Sequence, residues 1–205
     1  LIKPGDTVLD LGSGAGIDCF IAAQEVGRGG FVIGVDMTPE MIRLANKNKR
    51  YMGLTNVEFR EGAIEALPVQ DNTIDVIISN CVINLVSNRD QVYKEASRVL
   101  KPGGQVVVSD TIQTMELPHA ILDSEIAKAS CISAEVTRET YMTSLRNAGL
   151  TNVAIVSETP YPSDLGFEEA LLEGLRDQHD IPEQIIRDAA HSIVAILITA
   201  KKPIF

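Results

Sequence analysis

The chain is 205 residues long, enough for one well-buried core and short for two ordinary domains. Apolar residues make up 45% and charged residues 22%, and no run of about 18 uncharged apolar residues is available to cross a bilayer. The formal net charge is −10 and no Lys/Arg cluster exceeds Lys201-Lys202, which argues against nucleic acid and against an anionic membrane as partners.

The sequence begins Leu1-Ile2-Lys3-Pro4, not Met, and runs almost at once into a strand, so an N-terminal piece of the natural protein is expected to precede it. Thr7 to Leu11 reads as a buried strand, followed by a glycine-rich turn and an apolar helix from about Ile17 to Val26. Phe31 to Asp36 is the second strand. Thr38-Pro39-Glu40 is a helix start, with Thr as N-cap and Pro at the first position, and that helix stops at Gly53. Val57-Glu58-Phe59 and Ile74 to Ser79 are the third and fourth strands. Ser87 is expected to cap the next helix with Asp90 as capping-box partner, and Lys101-Pro102-Gly103-Gly104 to break it. Gln105 to Ser109 is the fifth strand. Thr111 to Ala134 loosens into a helical insertion that carries Cys131, and Thr137 opens another helix that Gly149 ends. Val153 to Val156 and Ser192 to Ala200 are late strands, with mostly helical pattern from Asp164 to Ala190 between them.

Alternating strands and helices imply an α/β fold, a parallel sheet with helices on both faces. The chain is expected to be one doubly wound domain over residues 1–205, with an insertion at about 111–136. Ligands in such folds bind at the carboxyl ends of the strands, near the reversal of strand order.

The first βα turn is Asp10-Leu11-Gly12-Ser13-Gly14-Ala15-Gly16. Glycines there allow a tight turn and close approach of a ligand to the backbone. Dinucleotide sites usually read GxGxxG; the spacing Gly12-x-Gly14-x-Gly16 after Asp10 resembles motif I of class I methyltransferases. Asp36, with Met37 beside it, ends the second strand, where an acid can accept bonds from ribose hydroxyls or simply cap the next turn. Glu61-Gly62-Ala63-Ile64-Glu65-Ala66-Leu67-Pro68 resembles the family segment beside the adenine, and Asn80 the position facing the methionine part of the cofactor. Ile74-Asp75-Val76 and Val99 to Gly104 also resemble the family. The resemblance implies a Rossmann-like, mostly parallel seven-stranded sheet with an antiparallel last strand. It also implies S-adenosyl-L-methionine as cofactor, held around Asp10, Gly12, Gly14, Gly16, Asp36, Met37, Gly62, Ala63, Ile64 and Asn80.

Three cysteines, Cys19, Cys81 and Cys131, are too few and too widely spaced for a disulfide framework or a zinc knuckle. They fit reduced thiols in a cytoplasm, and no signal-peptide pattern opens the chain. Any one of them alone reads most simply as a small core hydrophobe. Their positions say more. Cys19 lies in the first turn of the first helix, where the helix terminus can lower a thiol pKa. Cys81 follows the fourth strand, and Cys131 lies in the insertion. All three are expected at or above the carboxyl edge of the sheet. Thiolates suit a soft centre such as arsenic(III), whose lone pair could aim at an electrophilic methyl group.

The segments Gly12 to Phe20, Ser79 to Leu85 and Ala129 to Ile132 resemble the arsenite methyltransferases, and the likeness extends to the closing Ile198 to Pro203. It implies that Cys81 and Cys131 bind trivalent arsenic directly. Cys19 would be a third thiol, needed for inorganic arsenite and able to form a disulfide. Arsenite and methylarsenite would be the acceptors, and thioredoxin or glutathione the reductant. Two departures stand out. The family's N-terminal segment, with its further cysteine, is not in this sequence, and Ile132-Ser133-Ala134-Glu135 replaces the family's small residues after the third cysteine.

In-line transfer to a lone pair needs position and desolvation, and no general base. His119, His179 and His191 have no motif around them and read as surface or structural; Asp123, Glu125 and Glu135 read as a solvated helix face. The rival readings are a carbon methyltransferase acting on a quinone precursor, a non-catalytic cofactor-binding module, and an NAD-dependent oxidoreductase. The glycine spacing and the lack of a Tyr-Lys or His pair weigh against the last.

Overall fold

A computed structural model of the chain describes residues 1–125, 136–160, 166–175 and 181–204. Seven strands lie among them: β1 (Thr7–Leu11), β2 (Phe31–Asp36), β3 (Val57–Glu61), β4 (Ile74–Asn80), β5 (Leu100–Gln113), β6 (Thr151–Pro160) and β7 (Ile193–Lys201). They form a single sheet in the order β3-β2-β1-β4-β5-β7-β6. The first five are mutually parallel, and β7 runs antiparallel to both β5 and β6. The order reverses between β1 and β4, so the loops after these two strands open a crevice between them.

Seven helices flank the sheet among the described residues: α1 (Ile17–Val26), α2 (Pro39–Met52), α3 (Arg89–Val99), α4 (His119–Leu122), α5 (Arg138–Asn147), α6 (Phe167–Gly174) and α7 (Glu183–His191). The parallel strands are Val- and Ile-rich because both their faces are covered. On one face Val8, Val32, Val57 and Val76 pack with Phe20 and Ala23 of α1 and Ala45 of α2. On the other, Leu9, Ile77 and Val106 pack with Tyr93 and Val99 of α3 and Tyr141 and Leu145 of α5. A third cluster of Ile121, Leu171, Leu175, Ile186 and Ile193 joins α4, α6 and α7 at the start of β7.

The structure moves several expected boundaries. Asn88, not Ser87, caps α3: its side chain accepts from Gln91 N at 3.1 Å, which leaves Asp90 at the second helical position and not the third. Lys101 to Gly104 do not separate α3 from a strand. They belong to β5, and the β4–β5 register shifts between Ile74 and Val76 to take them in. β5 also continues to Gln113, past the Ser109 at which the strand was expected to end, because β7 pairs with it that far. Cys131 and His179 lie outside the described residues. No helix among the described residues is long and apolar enough to cross a membrane.

Candidate active site at the carboxyl edge of the sheet

Backbone hydrogen bonds fasten the loops at this edge to one another. Gly12 N and Ser13 N donate to Val35 O at 2.8 and 3.0 Å, Gly62 N to Asp36 O at 3.0 Å, and Cys81 N to Ser109 O at 2.9 Å. The three glycines of the first loop have different tasks. A Cβ on Gly12 (φ 72°) would lie 2.5 Å from Val82 Cγ2, and one on Gly16 (φ 96°) 2.7 Å from the rings of Phe20 and Phe59. A Cβ on Gly14 (φ 50°) would meet no heavy atom within 4 Å. Gly12 therefore brings the glycine loop against the residue that follows Cys81, while Gly14 leaves its side open.

Asp36 Oδ2 accepts from Gly14 N at 2.9 Å and Oδ1 from Thr38 N at 2.8 Å. It caps the turn after β2, and a carboxylate so placed keeps further lone pairs for hydroxyl donors. Met37 beside it is 75% exposed. Ala63 is also exposed, whereas Ile64 turns its side chain into the core. Asn80, exposed at the end of β4, donates to Asp18 Oδ2 at 3.4 Å. The two residues line a groove of about 240 Å³ with Ile21, Ile78 and Ser109. Asp18 was not among the residues the motifs singled out; its place in the first turn of α1 was the available signal.

Asp10 and Cys19 sit below this surface. Asp10 is 2% exposed, and the Cys19 thiol donates to its Oδ2 at 3.2 Å. Loss of solvation pushes Asp10 up to about 7; the thiol's bond opposes the rise, and the charges of Asp18 and Asp36 add to it. The same burial, followed by the Asp10 charge, drives the Cys19 thiol far up. This corrects the expectation of a lowered Cys19 pKa: the partial charge of a helix terminus is outweighed by desolvation and a neighbouring carboxylate. The Cys19 sulfur is enclosed between α1 and the sheet, where a Cβ on Gly34 would lie 2.8 Å from it. In this structure it faces the sheet and not the loops. Cys81 is only partly buried and adopts φ 53°, a left-handed conformation uncommon outside glycine. No group of three or more His, Cys, Asp or Glu side chains gathers into a metal-binding cluster among the described residues, which do not include Cys131. His191 is paired with Glu168, Nε2 to Oε2 3.2 Å, far along the chain from these loops.

A profile described as a methyltransferase domain matches residues 2–149. The chain belongs to this methyltransferase-domain family. Among its relatives, an arsenite methyltransferase of Halobacterium salinarum is 41% identical across 98% of this chain and 48% of its own length. Another, of Aquipseudomonas alcaligenes, is 39% identical across 84% of this chain and 51% of its own. This methyltransferase domain thus spans about half the length of the curated relatives it matches. Among solved structures, an arsenic(III) S-adenosylmethionine methyltransferase from Chlamydomonas reinhardtii superposes with a TM-score of 0.75 at 30% identity, covering 98% of this chain and 64% of that one. The mostly parallel seven-stranded sheet with its antiparallel last strand is the architecture the sequence implied.

Proposed function

We propose that this methyltransferase domain transfers a methyl group from S-adenosyl-L-methionine to trivalent arsenic, with arsenite and methylarsenite as acceptors held by the thiolates of Cys81 and Cys131. The observation that carries the reading is the packing of Gly12 on Val82, which sets the glycine loop beside the cysteine loop at the sheet's reversal point. The residues present fit the cofactor: the open side of Gly14 is a cradle for a ligand, Asp36 offers carboxylate oxygens to a ribose, and Met37 and Ala63 are exposed for contact with a base. Bound there, the cofactor supplies an electrophilic methyl group on a sulfonium.

The protein's own part is placement. Cys81 and Cys131 hold the soft atom by sulfur so that its lone pair points toward the donor. No base is needed, because arsenic's lone pair carries no proton. Accepting the methyl group uses the arsenic lone pair and leaves arsenic formally pentavalent, with S-adenosylhomocysteine as the leaving group. Two cysteine thiols would reduce it to the trivalent state as they join in a disulfide, which a thiol reductant such as thioredoxin or glutathione would return to thiols, a requirement that suits the cytoplasm. In the conformation described, Cys19 would have to leave Asp10 before its sulfur could take part.

The test is arsenite binding followed by loss of free thiols, together with transfer of labelled methyl from S-adenosylmethionine in the presence of a reductant. Cys81→Ser should abolish arsenite binding while S-adenosylmethionine still binds. Arsenite binding that survives Cys81→Ser would sink the reading, and binding of both ligands without labelled methylarsenicals would assign the domain a sequestering role.

A further inference from the structure

The loop that carries Cys81 is clamped to three consecutive residues of β5. Cys81 N donates to Ser109 O at 2.9 Å. Asn84 N donates to Asp110 Oδ2 at 3.3 Å, and Asn84 Nδ2 to Thr111 O at 2.7 Å. Asp110 is 1% exposed and Asn84 4% exposed, so this is a polar group set inside the protein, at the end of an otherwise apolar run. Tyr141 of α5, also fully buried, closes it: its hydroxyl donates to Asp110 Oδ2 at 2.5 Å and lies 3.1 Å from Asn84 Oδ1. Thr111 N supplies a further donor to Asp110 Oδ1 at 2.9 Å.

Burying such a set costs free energy unless every member is partnered, and when satisfied it fixes one geometry. The geometry fixed here includes Cys81 in its left-handed conformation, which persists only where surrounding contacts over-determine it. Tyr141 also belongs to the helix with which the described chain resumes after the Cys131 segment. Thr137 caps that helix, and Val136 O accepts from Gln113 N at 3.0 Å, holding its start to the end of β5.

We propose that Tyr141 and Asp110 are positioning residues for the Cys81 thiol: through Asn84 they hold the cysteine loop on β5 and tie it to the helix that follows the Cys131 segment. This inference rests on the reading of Cys81 as an arsenic ligand. Neither residue touches the acceptor. They act by keeping one sulfur at a fixed place beside the glycine loop, so that the soft atom is met by a thiol already in position.

The first arm of the test does not use arsenic. In the Cys131→Ser chain, Cys81 is the partly exposed thiol and Cys19 the enclosed one, and their reaction with an aromatic disulfide reagent is followed separately. Tyr141→Phe keeps the ring and removes only the hydroxyl; Asp110→Asn is the second variant. Both should speed labelling of Cys81 several-fold, with Cys19 still protected and a cooperative unfolding transition retained. Unchanged labelling of Cys81 overturns the proposal, and so does equal acceleration at Cys19, which would mark general loosening. The second arm uses the chain with Cys131 intact. Tyr141→Phe should weaken arsenite binding by about tenfold, the size of one lost buried hydrogen bond, and leave S-adenosylmethionine binding unchanged. Equal loss for both ligands overturns the proposal. Arsenite binding that persists in Cys81→Ser instead brings down the functional reading, and the labelling arm still decides whether Tyr141 and Asp110 hold the loop.

Discussion

Asp10 and Asp36 end neighbouring strands and meet opposite environments. Asp36 holds two backbone amides, while Asp10 is enclosed, its one hydrogen-bond donor among the described residues the Cys19 thiol. Burial raises Asp10 to about 7, so the fold prefers its neutral form. As pH climbs above about 4 the unfolded chain ionises this group and the folded chain does not, so the unfolded state gains ground until the folded carboxyl itself ionises near 7. Asp10→Asn should therefore flatten the loss of stability between about pH 4 and 7, read from urea unfolding of both chains; parallel curves would refute the assignment. The glycines give a second contrast. Gly12→Ala places a methyl inside the branches of Val82 as well as straining the backbone, and should cost about 1–3 kcal/mol of stability. Gly14→Ala carries only the backbone strain, and its methyl enters open space, so cofactor binding should fall more than the unfolding midpoint does. Calorimetric titration beside thermal unfolding separates the two. Cys19 is the residue whose surroundings were least legible in the sequence. Its position in the first helical turn was legible, but which side of that turn faces the sheet depends on how α1 docks over Gly34, and no local pattern encodes that.

Elements were legible where local chemistry sets their ends. Pro39 stands in the first turn of α2, Gly53 ends it in the left-handed region, and Thr137 caps α5 with a full capping box, its side chain accepting from Thr140 N at 3.2 Å. Elements were misjudged where a partner sets the ends. β5 looks finished by Ser109 in sequence, yet β7 pairs it onward to Gln113, and the glycines after Lys101 are absorbed by a shift in register with β4. The α3 cap moved by one residue because either Ser87 or Asn88 can serve, and only the approach of the chain from the cysteine loop selects Asn88. The Thr137 cap is worth a direct measurement, since α5 anchors Tyr141. Thr137→Ala removes one half of the reciprocal pair and should destabilise the chain by about 1 kcal/mol, seen as a lower urea midpoint at unchanged slope. No change in midpoint would mean that the helix start is held without its cap, by the packing of Tyr141 and Leu145 and the Gln113–Val136 hydrogen bond.

For the whole molecule, strand order is what turns scattered motifs into one site. Glycine loop, Asp36, the segment from Gly62 and the cysteine loop are far apart in sequence, and the order β3-β2-β1-β4-β5 lines up the carboxyl ends of the strands that precede them. The alternation of strands and helices was enough to expect that edge to be the site. It could not say which side chains behind the edge support it, because Asn84, Asp110 and Tyr141 come from three elements that meet only in the folded chain. A site assembled this way exists in the folded state alone, so its ligands must stabilise the entire domain by mass action. S-adenosylmethionine at a hundred times its dissociation constant should add about 2.7 kcal/mol, which for a chain of this size raises the unfolding midpoint by roughly 5–10 °C. NAD at the same concentration should leave it unmoved. Arsenite, with a reductant present, should add its own increment to that of the cofactor, and in Cys81→Ser the arsenite increment should vanish while the cofactor's remains. A midpoint that rises with NAD, or an arsenite increment indifferent to Cys81, would separate the edge of the sheet from the chemistry assigned to it.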